Sequence, residues 1–123
     1  MTEPCSRVRG DTFKILNGVG FIGHRPIENA EVISENDGRF KRRQIICRFD
    51  NGWSLSIIWG DRSYSDNHRT SSAPFAEEVH LAEIAAILPN GCLASIWEDS
   101  SSPIQGWLST DRAWDAFLKI EAK

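Results

Sequence analysis

No stretch of this sequence approaches the roughly 20 consecutive apolar residues that a membrane-crossing helix needs, and its start, MTEPCSRVRG, has no apolar run to serve as a signal peptide. The expected compartment is the cytoplasm. Cysteine is scarce: Cys5, Cys47 and Cys92 are odd in number, far apart and at no zinc-ligand spacing, which excludes a disulfide framework and implies reducing surroundings. Cys47 and Cys92 fall within apolar stretches and are expected to be buried structural thiols, with Cys5 in an exposed tail. His24, His68 and His80 share no spacing that suggests joint ligation, and no serine occupies a G-x-S-x-G elbow, so nucleophilic catalysis has no support. Nothing in the sequence calls for a cofactor or a metal.

What is present is the composition of one globular domain over residues 1-123, with 41% apolar and 25% charged residues. A chain of this length buries roughly two thirds of the surface its unfolded form exposes, so its core needs no metal or disulfide to hold it. The net charge of -3 is unevenly spread. Residues 1-43, a glycine-rich arm, carry eight Lys/Arg against six Asp/Glu; residues 44-123 carry six against eleven. An acidic body does not steer toward phosphate backbones, which disfavours nucleic acid as a partner unless a local basic patch supplies the attraction.

The clearest periodic signal is QIICRF-DNG-WSLSIIW. Trp53, Leu55, Ile57 and Trp59 alternate with Ser54, Ser56 and Ile58, the period of a half-buried strand, and Asp50-Asn51-Gly52 supplies residues that tolerate φ > 0, as hairpin turns require. Residues 44-49 and 53-59 are therefore expected to pair antiparallel. A second pair is suggested by HLAEIAAIL-PNG-CLASIW, although the Ala, Glu and Leu between positions 76 and 88 also suit a helix with Val79, Glu83 and Ile87 on one face. From Ser109 the period changes. Trp114, Phe117 and Leu118 share a helical face flanked by Ala113 and Ile120, Ser109 or Thr110 can cap it, and Asp111 and Lys119 complement its dipole, predicting a helix over about 111-121. Thr12 to Leu16 and Ala30 to Ile33 read as further strands. The class is α+β: an antiparallel β-meander packed by a C-terminal α-helix.

Four constellations could carry function. The string from Gly18 through Gly20 to Gly23 has the form G-x-G-x-x-G, but His24-Arg25-Pro26 offers no helix whose N-terminus would hold a pyrophosphate, so a glycine-rich turn between strands is expected. The polar stretch Gly60 to Pro74 is more than twice the median connection length and carries Asp61, Arg62, Tyr64, Asp66, His68 and Arg69. It is expected to be a partner-binding loop; a small enzyme site at Asp61 to Arg69 is the weaker alternative. Arg39, Lys41, Arg42 and Arg43 form a basic run that could grip phosphates, but charge beside an edge strand also blocks edge-to-edge pairing, and that reading is preferred. Trp53, Trp59 and Trp114 fall on predicted core faces. Trp97 and Trp107, flanking Glu98-Asp99 and the Ser-Pro segment, could instead be exposed anchors for a partner.

From Phe49 to Ile120 the sequence resembles a loose class of small bacterial and phage-encoded proteins. The shared elements are Phe49-Asp50-Asn51-Gly52-Trp53, Ile87-Leu88-Pro89-Asn90-Gly91 and Gly106-Trp107-Leu108-Ser109 opening a final amphipathic helix. The resemblance implies a compact α+β domain carried by a mobile element and brings no catalytic residue with it. The functional expectation is a non-enzymatic protein that binds a protein partner through Arg62, Tyr64, His68, Arg69, Trp97 and Trp107, as a phage or mobile-element accessory factor acting on a host protein. A nucleic-acid-associated module using Arg39, Lys41, Arg42 and Arg43 is the alternative.

Overall fold

The computed structural model of the chain describes residues 12-28, 30-36, 41-60, 78-97 and 101-123. Their strands are β1 (Phe13–Leu16), β2 (Val19–Ile22), β3 (Arg25–Ile27), β4 (Ala30–Asn36), β5 (Lys41–Arg48), β6 (Ser54–Gly60), β7 (Glu78–Val79), β8 (Ala82–Ile87), β9 (Leu93–Ala94) and β10 (Ile104–Leu108). Among the described residues one helix, α1, spans Thr110–Glu121. All pairings are antiparallel and give a four-stranded sheet, β3-β2-β1-β7, and a six-stranded one, β10-β8-β6-β5-β4 with β9 on β8. The α+β meander with a closing C-terminal helix is the architecture observed.

The central hairpin is the one its alternation predicts. Across the ladder Cys47 faces Leu55 and Ile45 faces Ile57, and β8 extends both rows with Ala86 and Ile84. Leu55, Ile57 and Trp59 are fully buried. Ser54 and Ser56, expected toward solvent, are buried as well, because β6 lies in the middle of the sheet and Ser56 stands between Ile46 and Ala85. Its hydroxyl oxygen accepts a 2.9 Å bond from Gln44 Nε2, which offsets the cost of its burial. Trp53 precedes the strand and is only half-buried against the core.

Both predicted turns have one construction. Gly52 N donates to Phe49 O and Phe49 N to Trp53 O in the first; Gly91 N donates to Leu88 O and Leu88 N to Cys92 O in the second. Each puts its glycine at φ +90°, the left-handed residue that ends a three-residue hairpin loop. Asn51 Oδ1 accepts from Trp53 N and Asn90 Oδ1 from Cys92 N. The described part of the segment open to a helical reading, 78-88, is strand at Glu78–Val79 and Ala82–Ile87 and holds no helix, and the second turn pairs β8 with β9 through Ala86–Ala94 and Ile87–Leu93. It also corrects the expectation for Cys92, which ends the turn and is exposed, whereas Cys47 lies in β5 and is buried.

In the smaller sheet Asn17 (φ 53°) and Gly18 (φ 80°) form a tight hairpin turn, and Gly23 (φ 63°) lies between β2 and β3. The three glycines of the G-x-G-x-x-G string are therefore spent on strands and turns, and the residues that follow them, 24-28, are turn and strand and open no helix. Gly20 has a separate role. A β-carbon there would stand 2.8–2.9 Å from three side-chain carbons of Ile45, so its bare backbone lets the two sheets close together. The core fills the space between sheets and helix, with Phe13, Ile22, Ile45, Leu55, Ile57, Trp59, Ile84 and Ile120 fully buried. At one corner the chain passes from sheet to sheet within two residues: Val79 pairs with Phe13, while Ala82 pairs with Leu108. Thr12 pins that corner by donating its hydroxyl to Glu78 Oε2 at 2.8 Å.

Helix α1 starts as predicted, with Ser109 Oγ accepting from Arg112 N, Asp111 in the first turn and Lys119 in the last. Its inner face is shifted from the expected one. The buried residues are Thr110, Ala113, Ala116 and Ile120; Trp114 and Phe117 pack partly against the core and Leu118 is 45% exposed. The alanines explain the shift, since small side chains bring the helix axis close to the sheet and leave larger residues to wrap the flanks. No helix among the described residues is long and apolar enough to cross a membrane.

Candidate interaction surface

Residues 41–43 belong to β5, which is paired with β4 on one side and β6 on the other, so the described part of the basic run lies beside β4, a margin of the six-stranded sheet among the described residues. Arg42 Nε lies 3.4 Å from Glu35 Oε1, and Arg43 Nη1 donates to Ser34 Oγ at 3.3 Å, so both reach across to β4. On β4 itself Glu31 and Glu35 are both exposed and paired with Arg48 (2.7 Å) and Arg42. Arg39 lies outside the described residues, as do Arg62, Tyr64, His68 and Arg69, and Lys41 is described in its backbone alone.

The two tryptophans singled out by the sequence part company. Trp97 is half-buried, packs against the core and has the Arg112 guanidinium 5.9 Å from its ring centre. Its indole Nε1 is buried and has no hydrogen-bond partner among the described residues. Trp107 is 48% exposed and sits in β10, which forms the other margin of the six-stranded sheet among the described residues.

Trp107 also adopts φ 52°. For a bulky residue the left-handed region costs roughly 1–2 kcal/mol, because Cβ crowds the following carbonyl. The local cause is a break in register: Ile104 and Gln105 pair with Ala85 and Ile84, but the next paired residue is Leu108, opposite Ala82. Leu108 is buried and Ser109 must cap α1, so the intervening irregularity falls on Gly106-Trp107 and turns the indole outward. Sequence reasoning marked Trp107 as an anchor but had no signal for the bulge.

A second region had no sequence signal. A cleft of about 380 Å³ opens where the Asp50-Asn51-Gly52 turn meets the end of α1, with Ile27, Cys47, Phe49 and Phe117 among its walls. Asn51 Nδ2 donates to Ile120 O at 2.9 Å and joins turn to helix. Burial pushes the Cys47 thiol up to about 12, so it is protonated at neutral pH and is a packing group, not a nucleophile. Among the described residues no three His, Cys, Asp or Glu side chains converge closely enough to hold a metal ion.

No family model, curated protein or solved structure matches this chain, so the resemblance drawn from its turns assigns no role to any residue.

Proposed function

We propose that this chain is a non-enzymatic binding domain whose protein partner docks on the β10 margin, with Trp107 as the anchor. The observation that supports this reading is a large aromatic side chain that is 48% exposed on a strained backbone. Strain of this kind persists where surrounding structure dictates it and concentrates at functional positions, and exposed tryptophans supply much of the energy of protein interfaces. Trp97 is demoted to a supporting wall by its packing, while Arg62, Tyr64, His68 and Arg69 complete the proposed surface on sequence grounds. The finer assignment, a phage or mobile-element accessory factor acting on a host protein, draws on the sequence resemblance alone.

A nucleic-acid module using Arg39, Lys41, Arg42 and Arg43 stays second, because Arg42 and Arg43 already engage Glu35 and Ser34. The test begins with cross-linked capture from host lysate and identification of the bound protein by mass spectrometry. Titration of that purified partner should then show Trp107→Asn weakening binding by roughly 2 kcal/mol, about thirtyfold, since Asn accepts the same backbone conformation. Equal affinity of wild type and variant removes Trp107 from the interface. A complex with duplex DNA that weakens steeply with salt promotes the second reading.

A further inference from the structure

The cleft beneath the central turn has a chemistry of its own, independent of Trp107. Phe49 follows β5, and Phe117 lies one turn before the end of α1; their rings meet edge to face, centres 4.8 Å apart. On its other side Phe117 stacks on Trp114 at 4.6 Å, and over Trp114 lies the Arg25 guanidinium, 4.6 Å from the ring centre. A row of three aromatic rings therefore carries a cation at one end and faces open volume at the other.

The open end is suited to a second cation. Its lining includes the buried Ile27 and Cys47 and three exposed acidic residues, Glu28, Asp50 and Glu121. Arg48 is the cation that also lines it, and its guanidinium is bound to Glu31 at 2.7 Å. The last turn of α1 adds the negative end of the helix dipole. The same fold sets Lys123 5.3 Å from the centre of Trp53 and Lys14 5.4 Å from that of Phe21, so pairing of cations with half-exposed rings recurs around the domain.

We propose that this cleft binds an alkylguanidinium group, the head of an arginine side chain, with its stem on Ile27, its plane against the Phe49–Phe117 pair and its N–H groups donating to the lining carboxylates. A guanidinium is favoured because it is flat, stacks on aromatic faces and bonds carboxylates through two parallel N–H groups. The Arg25–Trp114 contact is the same arrangement made internally. The carboxylates do not converge as a metal site would require, whereas a planar cation with an apolar stem can meet them one side at a time. Because the acidic residues are exposed, affinity is expected in the millimolar range and falls with ionic strength.

The experiment is a titration of the full chain, followed by amide chemical shifts, with butylguanidinium, butylammonium and the neutral isostere butylurea. Butylguanidinium is expected to move the amides of Phe49, Asn51, Phe117 and Glu121. The variant Glu28→Gln/Asp50→Asn/Glu121→Gln, altered only at exposed positions, should keep the wild-type melting temperature and bind about tenfold more weakly. Butylurea binding as well as butylguanidinium, or an unchanged affinity in the triple variant, overturns the electrostatic argument. Equal binding of butylammonium overturns the choice of guanidinium, and shifts confined to other surfaces overturn the site. A separate variant, Phe117→Leu, should weaken butylguanidinium while preserving the fold; no loss there overturns the role of the ring.

Discussion

A β-carbon placed on Gly52 would stand 3.1 Å from both Cβ and Cγ of Pro89, so the tip of one hairpin turn is seated against the ring of the other. The two turns share their hydrogen bonds and their left-handed glycine, but they differ in surroundings. Gly91, at the same φ, has nothing within 4 Å of the equivalent point.

That difference separates two costs in one comparison. Gly91→Ala should cost about 1 kcal/mol, the penalty for an L-residue in the left-handed region. Gly52→Ala should cost that and more, because Pro89 or the turn must give way. Urea midpoints of the two variants measure the gap, and equal losses would mean that the contact between turns is slack.

Gly20 makes a parallel case between sheets. Gly20→Ala drives a methyl group into fully buried Ile45, and overpacking of this kind costs typically about 1–3 kcal/mol. Ile45→Ala alone should cost roughly 2–5 kcal/mol through its cavity. In the double variant the added methyl should be tolerated, giving a coupling of opposite sign to the single losses. Simple additivity in chemical denaturation would rule out the steric account.

Asn51 is expected to be irreplaceable by Asp. Its amide donates to Ile120 O while its oxygen accepts from Trp53 N, and a carboxylate keeps only the second bond and adds a charge beside the negative helix end. Asn51→Asp should lose about 1–3 kcal/mol at pH 7 and recover part of it as the pH falls and the acid gains a proton. A loss independent of pH would place the cost in the turn alone.

The two described cysteines should behave oppositely toward alkylating reagents. In a Cys5→Ser background Cys92 is expected to react at once at pH 8 and Cys47 only on unfolding, given their exposure and the proton that Cys47 retains to about 12. The unfolded thiol ionises near its ordinary 9.0, so this contribution is intact below that pH and is lost as the pH rises toward 12, by about 1.4 kcal/mol per pH unit. Cys47→Ala should abolish that part of the alkaline slope.

Much of the fold was legible because it is written in local patterns. Alternation around Asp50-Asn51-Gly52 and the Ser109 cap each specify their element without help from distant residues, whereas the alanine-rich segment before the second Asn-Gly turn suits strand or helix and is decided by its pairing. What escaped the sequence is what depends on packing across elements. The serines of β6 are buried by strands on either side, and Leu118 is exposed because Ala113 and Ala116 take the inner face. The aromatic–carboxylate cleft joins β3, β5, a turn and α1, and no linear spacing brings those together.

The corner where His80 and Leu81 carry the chain between sheets has a bearing on how the protein assembles. β4, β5 and β6 are neighbours in sequence and can zip locally, but the β1–β7 ladder awaits partners as far apart as Thr12 and Glu78, 66 residues. Closing so long a loop is costly before its contacts repay it, so the smaller sheet should lock onto the larger one late, after the rate-limiting barrier. Thr12→Val, which removes the clasp without changing shape, is then expected to speed unfolding and leave the refolding rate untouched.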